Sequence, residues 1–249
     1  IKRLNGANQF EDLILKTLSE NLPTDYIEGF SHYYNRASLQ ANDNVPSAIV
    51  TGVGFMWSSS FSFWAAECAD RGAKLYGMQH GGTYGEVDYH TTGENFESSV
   101  VDYFITWGWQ RGKRTIPLPP SRFSGLKKVK SEKNGRILLV TTADSKHVSF
   151  MGNIVFASRF IDYFDHQNAM YQHLSTRVMA KLSVRLYPND FGWALKERWC
   201  DRSNSIHFSD INEPLVFQAQ NHSLVVVDHL GGTSTLECLR LNIPTIIIC

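Results

Sequence analysis

Short apolar runs of β type alternate with helical stretches along most of the chain, which is the order of an α/β fold with parallel sheets. In the first half, Ser47-Ala48-Ile49-Val50-Thr51 predicts a strand and residues 63–71 a helix. Lys74-Leu75-Tyr76-Gly77-Met78 predicts a second strand, ending at Gln79-His80-Gly81-Gly82, and Val101-Asp102-Tyr103-Phe104-Ile105-Thr106 a third. Between Gly108 and Gly135 the periodicity stops. That segment holds Pro117, Pro119, Pro120 and several lysines, and reads as a connection between domains. The pattern restarts at Arg136-Ile137-Leu138-Leu139-Val140-Thr141-Thr142, a strand with both faces apolar, followed by a long helix over residues 154–173. Strands at 183–187, 206, 224–228 and 245–248 then alternate with helices at 193–199, 213–220 and 233–241. The expected architecture is two doubly wound units facing a cleft: an N-terminal domain over 1–110, a linker over 111–135 and a second domain over 136–249.

Composition narrows the functional classes. The chain has 249 residues, 43% apolar and 19% charged, the balance of a folded globular protein. Lysine plus arginine equals aspartate plus glutamate at 24 each, so the basic excess of a nucleic-acid-binding surface is lacking and no nucleic-acid partner is expected. The one concentrated basic run, Lys127-Lys128-Val129-Lys130, reads as a solvated loop; a peripheral contact with the inner membrane is its alternative. Cys68, Cys200, Cys238 and Cys249 lie far apart with no CxxC pair, as buried thiols in a reducing cytoplasm would. No apolar run reaches the roughly 18 residues of a membrane-spanning helix. The chain opens at Ile1 and stops inside the apolar run Thr245-Ile246-Ile247-Ile248-Cys249, so both ends read as cut.

The stretch Asp228-His229-Leu230-Gly231-Gly232-Thr233-Ser234-Thr235-Leu236-Glu237 carries the clearest chemistry. A strand delivers the chain to Gly231-Gly232, where missing side chains let a ligand approach the backbone. Thr233-Ser234 then open a helix whose unpaired N–H groups and positive dipole end suit a diphosphate. Glu237, one turn into the helix, can accept both hydroxyls of a ribose. The competing reading is a tight glycine turn before a well-capped helix with no ligand. The second candidate is Gln79-His80-Gly81-Gly82, past the carboxyl end of a strand. His80 is suited to proton transfer near neutrality, and Glu86, Asp88 and His90 follow closely as carboxylate or imidazole partners. Here the competing reading is a polar loop whose His80 bonds the backbone.

Gly231-Gly232-Thr233-Ser234-Thr235-Leu236-Glu237-Cys238-Leu239, followed by Asn242-Ile243-Pro244-Thr245, resembles the donor-site signature of GT-B glycosyltransferases. Gln79-His80-Gly81-Gly82, with Asp102-Tyr103-Phe104-Ile105-Thr106-Trp107-Gly108, is similar to the N-domain pattern of capsule-polysaccharide and Kdo-type transferases. From about Val50 to Cys249 the layout resembles a group of bacterial surface-polysaccharide transferases. The resemblance implies that Gly231, Gly232, Thr233 and Ser234 hold the donor diphosphate and Glu237 the ribose. It implies that Gln79, Gly81 and Gly82 form an acceptor-side loop, with His80, or Glu86, as catalytic base. The sequence departs at Arg185-Leu186-Tyr187-Pro188, where Kdo-type and polysialyl transferases carry a His-Pro pair. Tyr187 donates one hydrogen bond but no charge, so Arg185 or Arg198 would have to neutralise the phosphate. Thr142, at the end of the strand that opens the second domain, is a further donor-side candidate. His229 beside the glycine turn reads equally as a ligand contact and as a packed histidine, and Trp107 and Trp109 are candidates for stacking on an acceptor sugar.

The expectation is an inverting glycosyltransferase that moves a sugar from a nucleotide-sugar donor to a surface polysaccharide or glycolipid. No DxD-like pair ends a strand, and the resemblance implies metal-independent transfer. The nucleotide-sugar is a co-substrate, with no other cofactor. A nucleotide-sugar epimerase, a polyol-phosphate transferase and a non-catalytic sugar-nucleotide-binding module are the alternatives on the same frame.

Overall fold

A computed structural model describes residues 8–85, 92–130, 135–147, 157–203, 205–229 and 232–248. The chain divides into two compact units, Ile1–His80 with Gly93–Leu118, and Gly81–Thr92 with Pro119–Cys249.

The first unit opens with helices α1 (Gln9–Asn21) and α2 (Phe30–Asp43), for which the sequence pattern above makes no prediction. Asn8 caps α1 by accepting from the Phe10 and Glu11 amides, both at 3.0 Å, which satisfies two donors that the first turn leaves unpaired. Then come β1 (Ala48–Thr51), α3 (Gly54–Trp57), α4 (Ser59–Asp70), β2 (Lys74–Met78), α5 (Thr92–Ser99), β3 (Tyr103–Thr106) and β4 (Thr115–Pro117). These strands form one parallel sheet in the order β1-β2-β3-β4. Strand β4 falls in the segment that shows no periodicity: three residues ending in a proline make too short a run to read. Its Pro117 stands opposite Thr106 at the sheet edge, where a missing N–H costs least.

The second unit contains β5 (Ile137–Val140), α6 (Phe160–Gln172), α7 (Thr176–Met179), β6 (Leu182–Arg185), α8 (Leu195–Cys200), β7 (His207–Phe208), α9 (Leu215–Gln220), β8 (Leu224–Val227), α10 (Thr233–Leu241) and β9 (Thr245–Ile247). All five strands are parallel, in the order β7-β6-β5-β8-β9. Both faces are covered, which is why β5 reads as a continuous apolar run. Leu139 packs on one face with Phe160 and Phe164 of α6 and Trp199 of α8. Leu138 and Val140 pack on the other face with Ala219 of α9 and Cys238 and Leu241 of α10. The chain is therefore a mixed α/β protein with parallel sheets. No helix among the described residues is long and apolar enough to cross a membrane.

Helix α10 ends on Asn242 in the left-handed conformation, φ 64°, with Pro244 two residues on, so the chain turns directly into β9. Asn242→Ala should cost about 1 kcal/mol, because alanine lacks the amide that eases this conformation. A urea midpoint unchanged in that variant would count against the cap.

Candidate functional site

In the second unit the strand order reverses between β5 and β8, and ligands of doubly wound sheets bind beyond the carboxyl ends at that switch point. A cavity of about 610 Å³ lies there. Its floor is Val140, Thr141 and Thr142 after β5, with Arg185, Leu186, Tyr187 and Pro188 after β6. One wall is the head of α10, with Gly232, Thr233, Ser234 and Glu237, beside His229 from the end of β8. Arg122 and Leu126 line it as well, as do Pro214, Leu215 and Val216 at the start of α9. Seven described donor-side residues expected from the sequence thus line one cavity, Gly232, Thr233, Ser234, Glu237, Arg185, Tyr187 and Thr142, and His229, for which two readings stood open, lines it as well. Gly231 and Glu86 lie outside the described residues, as do Asp88 and His90.

Gly232, at φ 91°, is in a conformation open to glycine and strained for other residues, and it caps α10 without a side chain. The amides at the helix head point away from the helix body, as anion binding requires. Gly82, which belongs to the second unit, meets this turn: its amide donates to Thr233 Oγ1 at 3.3 Å. Thr83 follows at φ 72°, uncommon for a β-branched residue, so the loop carries local strain beside the cavity.

Glu237 is buried, and its Oε1 accepts from Arg122 Nε at 3.0 Å and Nη2 at 2.9 Å. Arg122 comes from the segment read as a connection, and sequence reasoning did not single it out. No signal marks it, since an arginine just after a proline run resembles any solvated loop residue. Burial, and next the charge of Glu237, pushes the neighbouring Cys238 thiol up to about 12, which keeps it a neutral packing group.

Arg185 is buried and largely engaged by neutral acceptors. Its Nη1 donates to the Asp210 carbonyl at 2.9 Å and Gln218 Oε1 at 2.8 Å, and its Nη2 to the Ile211 carbonyl at 3.3 Å. Burial lowers its pKa, opposed by the carboxylates of Glu213, Asp210 and Glu237. The side chain ties the end of β6 to the loop after β7 while bordering the cavity. Tyr187 is exposed and stacks on Phe191, with centroids 5.9 Å apart. The Thr142 amide donates to Tyr163 Oη at 3.1 Å, and that hydroxyl donates in turn to Asp228 Oδ2 at 2.7 Å. Burial first, then the charge of Asp228, holds the Tyr163 phenol far above its ordinary range, so it remains a donor.

In the first unit, Gln79 is buried and works as an internal staple. Its Oε1 accepts from the Trp107 amide and from Trp109 Nε1, both at 2.8 Å, tying the end of β2 to the turn after β3. His80 follows, exposed, with Nδ1 3.7 Å from Oε1 of Glu97, a carboxylate buried on α5. The loop after β1 packs on it: a Cβ at Gly52 would stand 3.3 Å from His80 Cβ. Glu94, one turn before Glu97 and also buried, pairs with Arg111 Nη1 at 2.9 Å. Sequence reasoning missed this pair. The i, i+3 spacing of two glutamates was its only signal, and that spacing usually marks a solvated face. Among the described residues, no three His, Cys, Asp or Glu side chains converge as a metal site would require.

No curated protein matches the chain. Among solved structures, the pneumococcal O-GlcNAc transferase GtfA in complex with UDP and GlcNAc is similar at a TM-score of 0.47 and 10% identity. The match covers 85% of this chain and 44% of that one, so the chain spans less than half of that protein's length. Residues 2–249 match the family described as LIC12162 family transferase, and the chain belongs to that family.

Proposed function

We propose that this transferase is a glycosyltransferase of the GT-B type, moving a sugar from a nucleotide-sugar donor to a polysaccharide or glycolipid acceptor. The observation that carries the reading is the cavity at the β5/β8 switch point, where the head of α10, Glu237 and Arg122 meet. Helix-head amides offset the negative charge of a diphosphate, a carboxylate accepts ribose hydroxyls, and a guanidinium adds cationic character. The donor-site resemblance of residues 231–245 supports it. In this reading residues 1–110 serve the acceptor and 136–249 the donor, with the linker at 111–135, and the protein works in the cytoplasm.

The reaction is an inverting, metal-independent displacement. An acceptor hydroxyl attacks the anomeric carbon while its proton passes to His80. The bond from that carbon to the donor phosphate oxygen breaks, and the electron pair leaves on the diphosphate. Glu97 behind His80 stabilises the imidazolium that forms. Thr233 and Ser234 hydroxyls and the α10 amides hold the leaving group.

Titration calorimetry with UDP, GDP, CMP and dTDP tests the reading: at least one should bind, and binding by none would remove it. Glu237→Gln should weaken the bound nucleotide about tenfold, the scale of a hydrogen bond to a charged group. Unchanged affinity in that variant would take the ribose role from Glu237.

A further inference from the structure

The donor cavity contains an ionisable pair that the reaction above does not use. Asp228 directly follows β8 with its carboxylate buried, and three side chains converge on it. Tyr163 Oη and Gln167 Nε2, both from α6, donate to Oδ2, while His229 Nδ1 stands 3.2 Å from Oδ1. The His229 ring is nine-tenths buried and lines the cavity. With Nδ1 turned to Asp228, the other ring nitrogen lies against the glycine turn: a Cβ at Gly232 would stand 3.3 Å from His229 Nε2. A ring held by a buried carboxylate on one side, with its far nitrogen at the head of a nine-residue helix, is arranged to meet an anion.

We propose that His229 is a catalytic residue that meets the leaving diphosphate as an imidazolium, with Asp228 as its positioning partner; this rests on the donor-site reading above. The other charged groups at the cavity do not replace it. Arg122 is paired with Glu237, and Arg185 donates to Asp210, Ile211 and Gln218. Tyr163 remains protonated and contributes no charge. When the bond to the anomeric carbon breaks, negative charge grows on the phosphate oxygen. His229 Nε2–H donates a hydrogen bond to it and keeps its proton, while the acceptor proton goes to His80. The pair therefore acts more strongly on the transition state than on the bound donor, which is what raises turnover.

The test uses the full chain, titrated with UDP, GDP, CDP and dTDP and with the corresponding nucleosides, as wild type and as His229→Gln, between about pH 6 and 8.5, the range in which imidazole titrates. A phosphate group itself ionises near pH 6, but equally for both proteins, so the ratio of their affinities isolates residue 229. Near the acid end the wild type should hold a diphosphate about tenfold more tightly, with the ratio shrinking as pH rises and nucleoside affinity the same in both. A ratio that does not change with pH, or an equal loss for nucleosides, overturns the proposal and leaves the donor site standing. Failure of every diphosphate to bind the wild type removes the donor site and this proposal together. Should His229→Gln not fold, the wild type alone decides, through the buffer dependence of the calorimetric heat near pH 7.5. Net proton uptake on binding UDP is expected from His229, whereas a diphosphate entering a cationic site without it releases protons, and net release would overturn the assignment.

Discussion

Alanine in place of His80 should lower turnover by about 10²–10⁴-fold, the usual contribution of a positioned general base, with nucleotide affinity unchanged. That loss corresponds to about 3–5 kcal/mol of transition-state stabilisation. The expectation follows from where the ring sits. It stands beyond the carboxyl end of β2, with Glu97 at 3.7 Å and the close-packed turn at Gly52 limiting its movement. The glutamate is nearly solvent-free and stands within ion-pair range of the imidazole. Glu97→Gln should therefore give a smaller loss, about tenfold, together with an altered pH profile of kcat/KM. A His80→Ala variant that turns over like the wild type would move the base elsewhere on the chain.

How much of this was readable in the sequence depended on run length and on which faces are covered. Strands β1, β2, β3, β5, β6, β8 and β9 fall within one or two residues of their predicted positions. Most are apolar runs bounded by turn residues, and helices cover both faces of the second sheet. The helix expected over 154–173 is described from Phe160 onward, after a short 3-10 turn at Ala157–Arg159, and its first three predicted residues lie outside the described ones. Helices α1 and α2 went unread. The apolar stripe of α1, at Phe10, Leu13, Ile14 and Leu18, remains exposed, so no buried partner sharpens its pattern.

The candidate site divides in the same way. Groups that act through the backbone were visible, because a glycine turn before a helix is a local feature: Gly232, Thr233 and Ser234 line the cavity as the turn implied. Groups that depend on distant partners were not. Gln79 reads in the sequence as part of an acceptor-side loop, yet its amide is held by Trp107 and Trp109, 28 and 30 residues away. Glu237 meets Arg122 across 115 residues, and Asp228 meets Gln167 across 61. Neither spacing leaves a periodic trace, and buried carboxylates on a helix cannot be told from solvated ones without the fold.

A single methyl group at position 82 should reduce nucleotide affinity and turnover by about 10²-fold, because displacing a site by about an ångström has an effect of that size. A Cβ on Gly82 would stand 2.3 Å from the Gly232 carbonyl carbon and 2.6 Å from its Cα and oxygen. These are backbone atoms, so no rotamer change relieves the clash and one loop must move; overpacking of this kind costs about 1–3 kcal/mol. The loop that moves carries either the amide donating to Thr233 or the turn that opens α10, and both border the proposed diphosphate site. Gly81→Ala is the matched control, since its Cβ would meet only Thr233 Oγ1 at 3.8 Å, an ordinary contact. Nucleotide titration and thermal unfolding of the two variants separate the effects. Gly82→Ala should lose affinity well beyond any loss of stability, and Gly81→Ala should lose neither. If both variants bind as the wild type does, the contact between the two glycine turns has no part in holding the donor; if both lose affinity equally, the steric account of Gly82 fails, because only one of the two methyls has anything to strike.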